Sequence, residues 1–153
     1  MSILDNLKVD HDKVREILKK VTDLIEKYPN VDVREEKTLM KKLLSELEPH
    51  SKAEEKVFYA ALRKKSKNSL SPYEGLQEHK LALQVLKSLQ KDHLDKNQRS
   101  ANMKVLKEML MHHIEEEEST YFKEAENCFT TEELQVLGKD FLMKKQKIIE
   151  AKK

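Results

Sequence analysis

The chain has 153 residues, which is enough for one domain with a buried core, and 38% of them are charged. Its 30 lysines and arginines nearly balance its 28 aspartates and glutamates and are interleaved with them, so the sequence lacks the basic stripe that is typical of a nucleic-acid-binding surface. Its apolar runs are too short to cross a bilayer, and the single cysteine and an N-terminus unlike a signal peptide predict a cytoplasmic protein without a membrane partner.

The composition favours an all-α fold, because only two glycines and three prolines occur and Leu, Lys and Glu dominate. The first helix is predicted over about residues 3–28, where apolar residues recur in alternating steps of three and four. His11 occupies one place in this apolar seam. Pro29 and Asn30 predict the end of the helix.

The second helix continues the same alternation from Met40 to Ala61. His50 and Glu54, one helical turn apart, take two of its core places. Pro49 lies inside this helix, where it removes one backbone hydrogen bond. We therefore expect a kink immediately before His50.

The start of the third helix is marked by Ser71, Pro72 and Glu74, a pattern that predicts an N-cap, a proline at the first helical position and a capping box. The helix is expected to end near residues 93–95. His79 lies in its apolar seam.

The fourth helix is predicted over about residues 96–127, and its seam contains His113 and Glu117 at the same four-residue spacing as in the second helix. Thr130 and Glu133 form a second capping-box pattern, which predicts the start of a fifth helix.

These elements predict an up-down four-helix bundle over residues 1–127, with an additional C-terminal helix over 128–153 that packs on the bundle or extends from it. The bundle has two similar halves, each with one seam histidine followed by a His-x-x-x-Glu pair, so we expect a pseudo-twofold axis. Because a bundle brings its four seams into one core, six polar residues should converge on one site. These residues are His11, His50, Glu54, His79, His113 and Glu117.

A buried group of four imidazoles and two carboxylates without partners would cost several kcal/mol for each member, so a metal is the expected partner. Mixed His and carboxylate ligands suit iron, manganese or zinc, and two central carboxylates suggest two bridged metals. A single seam histidine is more often a hydrogen-bonded core residue, but the doubled pattern favours a metal. Glu55, Glu115, Glu116 and Glu118 would surround the site or face solvent, and Tyr59 would pack at the bundle end or donate a hydrogen bond.

The doubled pattern resembles the hemerythrin-like HHE cation-binding family over roughly residues 1–125. The resemblance implies a four-helix bundle with a non-haem di-iron centre, in which the two carboxylates bridge two iron ions that share an oxo or hydroxo bridge. Members of the family bind O2, or sense or process O2, nitric oxide, peroxide or iron. The motifs that carry the resemblance are Asp10-His11, HSKAE from His50 to Glu54, Glu78-His79, and HIEEE from His113 to Glu117.

The chain departs from the oxygen-carrying hemerythrins at Leu83, where they place a second histidine four residues after the third-helix histidine. Four histidines instead of five would leave open coordination positions for a small ligand. We therefore predict a di-iron protein that binds, senses or reductively handles O2, nitric oxide or peroxide. The alternatives are an iron-handling or sensing module without turnover and a metal-free structural bundle, and the sequence leaves open whether the protein is an enzyme.

Overall fold

The computed structural model describes residues 1–91 and 93–153, and within these residues the regular structure consists of five helices and no strand, which confirms the all-α prediction. Two of the helices contain a π-helical turn. The helices are α1 (Ile3–Glu26), α2 (Val33–Glu54, the π-helical turn Glu55–Tyr59, and Ala60–Lys65), α3 (Ser71–Leu89), α4 (Lys96–Glu116, the π-helical turn Glu117–Tyr121, and Phe122–Cys128) and α5 (Thr131–Ala151).

The capping box predicted at the start of α3 is wrong. Ser71 already belongs to the helix, and Leu70 precedes it without a side-chain cap. The Ser71 backbone N–H donates to the hydroxyl of Ser69, whereas the Glu74 carboxylate accepts a hydrogen bond from the Tyr121 hydroxyl at 3.1 Å. Glu74 therefore makes a contact between helices, which a local capping pattern does not reveal.

Other helix ends follow their sequence signals to different degrees. The capping box at α5 is formed as predicted, because the Glu133 backbone N–H donates to the Thr130 hydroxyl at 3.1 Å and the Glu133 carboxylate accepts from the Thr130 backbone N–H. Helix α1 ends at Glu26 and helix α3 at Leu89, so both are shorter than predicted. Periodicity indicates helices well but leaves their last turn uncertain.

The first four helices form a ring in which each contacts its two neighbours, and α5 packs against α1 and α2. The predicted up-down bundle is therefore the observed arrangement. Helix α5 approaches α1 closely, since Asn6 donates to the Gly138 carbonyl at 3.1 Å and a Cβ atom on Gly138 would lie 2.7 Å from the Met1 carbonyl oxygen. None of the described helices is both long and apolar enough to span a membrane.

The buried apolar residues form two clusters along the bundle. On α1, Leu7 belongs to one cluster and Val14 to the other, and His11 lies between them. On α2, His50 likewise separates Leu47 from Ala53. A layer of buried polar residues therefore divides the core in two.

Candidate metal centre

The six predicted ligand residues lie together in this buried polar layer, and each is at most 6% exposed. Their nitrogen and oxygen atoms form two clusters, within each of which one such atom from every residue lies within 4.8 Å of the others. Glu54 and Glu117 belong to both clusters. The first cluster is His11, His50, Glu54 and Glu117, and the second is Glu54, His79, His113 and Glu117.

The contacts within the two clusters repeat each other, as expected for a pseudo-twofold axis. The Nε2 atom of each single histidine lies 3.0 Å from a carboxylate oxygen of the opposite half, and the Nε2 atom of each paired histidine lies 3.5 Å from the glutamate one turn later. The pairs are His11–Glu117, His79–Glu54, His50–Glu54 and His113–Glu117.

Each histidine is oriented by a carboxylate on its outer side. A carboxylate that accepts a hydrogen bond from Nδ1 fixes the proton on that nitrogen, so a neutral imidazole directs the lone pair of Nε2 toward the centre. The Nδ1-to-oxygen pairs are His11–Glu118 at 2.8 Å, His50–Asp10 at 2.8 Å, His79–Glu55 at 2.8 Å and His113–Glu78 at 2.7 Å.

Sequence reasoning named two of these four carboxylates, Glu55 and Glu118, as possible neighbours of the site. It missed the role of Asp10 and Glu78, although each directly precedes a single seam histidine. An acidic residue before that histidine in both halves is the signal that would have found them. Glu115, in contrast, faces solvent.

The chemistry of the six side chains fits a pair of metal ions. Among the described residues, five of their buried polar atoms have no hydrogen-bond partner, and an unprotonated Nε2 of His11 would lie 3.0 Å from a carboxylate oxygen, with two acceptors against each other. Either a proton on Nε2 or a metal cation between such atoms makes the contact favourable. Imidazole and carboxylate donors without thiolates suit iron, manganese or zinc. The atoms without a partner are His11 Nε2, His113 Nε2, Glu54 Oε1 and Oε2, and Glu117 Oε1.

In the absence of metal, protons on the histidines neutralise part of the negative charge of the two carboxylates. Burial by itself lowers the pKa of His50, but the charge of Glu54 and the hydrogen bond to Asp10 outweigh it and raise the pKa to about 10. Burial also opposes protonation of His79, yet its contacts with Glu54 and Glu55 raise its pKa to about 9. The carboxylates of the buried layer therefore stabilise positive charge on these histidines despite the cost of burial.

The two shared carboxyl groups titrate in opposite directions. Burial and the negative charge of Glu54 raise the pKa of Glu117, whereas contacts with Glu117 and His50 outweigh burial and lower the pKa of Glu54. Tyr59 donates a hydrogen bond of 2.5 Å to Glu117 Oε2. Burial and the charge of Glu117 hold the pKa of Tyr59 well above its usual value, so its hydroxyl keeps its proton.

The Tyr59 hydroxyl breaks the symmetry of the layer. The Tyr59 ring stacks on His79 with a centroid distance of 5.4 Å, and Phe122 stacks on His11 at 6.1 Å in the corresponding place. Phe122 has no hydroxyl to offer Glu54. The Tyr59 ring is also close to Gly75, where a Cβ atom would lie 2.5 Å from the ring.

A cavity of about 220 Å³ lies against one side of the layer. Its deeper wall is made by the four histidines, Val14, Leu47, Ser51, Ala82, Leu110 and Ile114, and the rest by Glu78, Leu81, Met109 and His112.

On α3, the cavity wall includes Ala82, three residues after His79, whereas Leu83, four residues after it, packs against the apolar core. Residues three and four positions along a helix lie on either side of the starting residue, so the rotation of the helix decides which one faces a site.

Comparison with known proteins agrees with this geometry. The model of the hemerythrin HHE cation-binding domain matches residues 2–125, which include both clusters and all four outer carboxylates. No curated protein and no solved structure gives a significant match. The family model matches most of the chain, and the buried His/Glu layer is compatible with metal binding. The chain therefore belongs to the hemerythrin HHE cation-binding domain family.

Proposed function

We propose that this chain holds two iron ions in the buried layer and binds, senses or reductively handles a small oxidant such as O2, nitric oxide or peroxide. The observation that carries the proposal is the pair of His/Glu clusters that share both carboxylates. Two clusters with shared carboxylates suit two neighbouring cations better than one. In this proposal His11 and His50 hold one ion and His79 and His113 hold the other.

The surrounding residues would prepare the ligands for metal. The outer carboxylates keep the proton on Nδ1 and turn Nε2 inward, which fixes each imidazole in its binding orientation before the ion arrives. The Tyr59 hydroxyl would orient Glu117 in the same way through Oε2. Bound iron would supply a centre that changes oxidation state and accepts small ligands.

The size and lining of the cavity support the proposal that the ligand is small. Its volume of about 220 Å³ is enough for a few small molecules, since one water occupies about 30 Å³ in the liquid. Apolar side chains such as Val14, Ala82 and Ile114 line it beside the histidines. An apolar chamber next to the layer favours diatomic molecules and peroxide over large or highly charged substrates.

A sensing role without turnover is the second candidate, and the contact of α5 with the site favours it. Lys145 on α5 donates to Asp10 at 2.8 Å, and Asp10 in turn accepts from His50. Metal binding at His50 would therefore change the strength of the contact between Asp10 and the C-terminal helix. A metal-free structural bundle is disfavoured because, without a metal, the layer must hold buried protonated imidazoles against the cost of burial to pair its carboxylates.

Metal analysis and spectroscopy test the proposal. Protein produced with iron and purified without chelator should contain about two iron ions per chain, as expected for two clusters with shared carboxylates. After anaerobic reduction, separate mixing with O2, peroxide and nitric oxide should change its near-ultraviolet and visible absorption. One zinc ion per chain, or iron-loaded protein with no response to any of the three, would contradict the proposal.

A further inference from the structure

The carboxylates that orient the first cluster are each compensated by a cation. Arg15 Nη2 lies 2.6 Å from Glu118 Oε1, and Lys145 Nζ lies 2.8 Å from Asp10 Oδ1. Both pairs are largely shielded from solvent, with side-chain exposures of 29% and 20% in the first and 16% and 5% in the second. The other end of the Arg15 guanidinium contacts Asp12, whose carboxylate is exposed and therefore screened by water.

The carboxylates that orient the second cluster lack such compensation. Glu55 pairs with His79 and Glu78 pairs with His113, and among residues 1–91 and 93–153 neither carboxylate forms an ion pair with a lysine or arginine. Glu78 instead lies beside His112 and a further carboxylate, that of Glu116.

The cause lies in residues that the internal repeat does not share. Arg15 is four residues after His11, and the residue four after His79 is Leu83, which packs against the apolar core. Lys145 comes from α5, which packs on α1 and α2, and in the described part of the chain no lysine or arginine makes the corresponding ion pair in the other half.

We propose that these contacts make the two metal positions unequal, so that the second cluster binds the first ion and the first cluster binds the second. The inference rests on the proposed dinuclear site. Two uncompensated negative charges attract a cation at the second cluster, and a carboxylate without a counter-ion also makes its histidine a stronger donor to metal. Each compensating charge repels the divalent ion from a partly exposed position, so it should change the affinity of the nearer metal position roughly tenfold at an effective dielectric constant of about 50.

Stepwise Fe²⁺ binding tests the order. Anaerobic titration of the metal-free full chain against a competing chelator should give two dissociation constants that differ by at least tenfold. Lys145→Met and Arg15→Met should each tighten the weaker step by roughly tenfold and leave the tighter step unchanged. Leu83→Arg, which offers Glu55 the cation that Glu118 already has, should weaken the tighter step.

Lys147→Met is the matched control, because Lys147 is exposed on the same helix as Lys145, and both steps should keep their wild-type values. If Lys145→Met loosens α5 and lowers the melting temperature of the metal-free protein, Arg15→Met tests the same charge effect without touching α5.

The possible failures are distinguishable. Wild-type protein that binds fewer than two ions would overturn the proposed dinuclear site. Two ions bound in steps that Arg15→Met and Lys145→Met leave unchanged, or a tighter step that either of these two variants changes, would leave that site standing and overturn the inferred order.

Discussion

The half of the bundle formed by α1 and α2 and the half formed by α3 and α4 carry the same ligand pattern in different surroundings. Both present an inward Nε2 from each histidine and one shared glutamate. They differ at several places next to the layer, for example where Tyr59 corresponds to Phe122, Arg15 to Leu83, and Ser51 to Ile114. In the proposed dinuclear site, the repeated residues build the two metal positions, and the unrepeated residues make them chemically distinct.

The largest expected effect comes from the residues that both clusters share. Glu54→Ala should remove metal from both positions, because it deletes a carboxylate common to both, whereas His50→Ala should weaken mainly the first cluster. We expect iron content to fall from about two ions per chain to less than one in Glu54→Ala, with an intermediate value in His50→Ala.

Glu115→Ala is the control for this pair, because Glu115 is exposed on α4 close to the site. Metal analysis after identical purification provides the measurement. Equal iron content in Glu54→Ala and His50→Ala would show that Glu54 does not serve both positions.

Removal of metal should destabilise both halves together, because each His/Glu cluster then loses its cation. Each ion present at 100 times its dissociation constant contributes about 2.7 kcal/mol, so two ions contribute about 5.4 kcal/mol, which corresponds to a melting temperature about 10–20 °C higher for a chain of this size. Thermal unfolding followed by circular dichroism, with and without chelator, checks this. The double variant His50→Ala/His113→Ala should show no effect of the chelator, and an unchanged wild-type curve would indicate a polar layer that satisfies itself.

The Tyr59 hydroxyl gives a third test of the difference between the halves. Tyr59→Phe makes this place resemble Phe122 and leaves Glu117 Oε2 without its donor, so the metal-free protein should lose about 1–3 kcal/mol of unfolding free energy. The midpoint of urea unfolding is the measurement.

Tyr73→Phe provides the control, because the Tyr73 ring is 56% exposed. Tyr73→Phe should leave the free energy of unfolding unchanged. A Tyr59→Phe midpoint equal to that of the wild type would mean that water replaces the hydroxyl at Glu117.

The smallest effect is expected at Ser51, whose buried hydroxyl lines the cavity and finds no hydrogen-bond partner within residues 1–91 and 93–153. Its counterpart is the apolar Ile114. Ser51→Ala should leave the metal-free protein equally stable or more stable by up to about 1 kcal/mol, because it removes an unpaired polar group from the interior. Urea unfolding measures this, with the exposed Ser119→Ala as control, and a clear loss of stability would show that the hydroxyl has a partner in solution.

Local sequence determined the helices and the identity of the six central residues. The spacing of apolar residues is a property of a single helix, so it identifies which residues face the core before any partner is known. The four-residue interval from His50 to Glu54 is also a property of one helix, and it recurs from His113 to Glu117.

Contacts between helices decided the remainder. The partners of the histidine Nδ1 atoms come from other helices, and Lys145 reaches Asp10 across 135 positions of the chain. The role of Glu74 in contacting Tyr121, rather than capping its own helix, has the same origin. The four-residue step from His79 indicated Leu83 as the residue beside the site, whereas the structure places Ala82 at the cavity. The rotation of α3 against its neighbours decides this, because packing sets that rotation and the sequence of one helix does not.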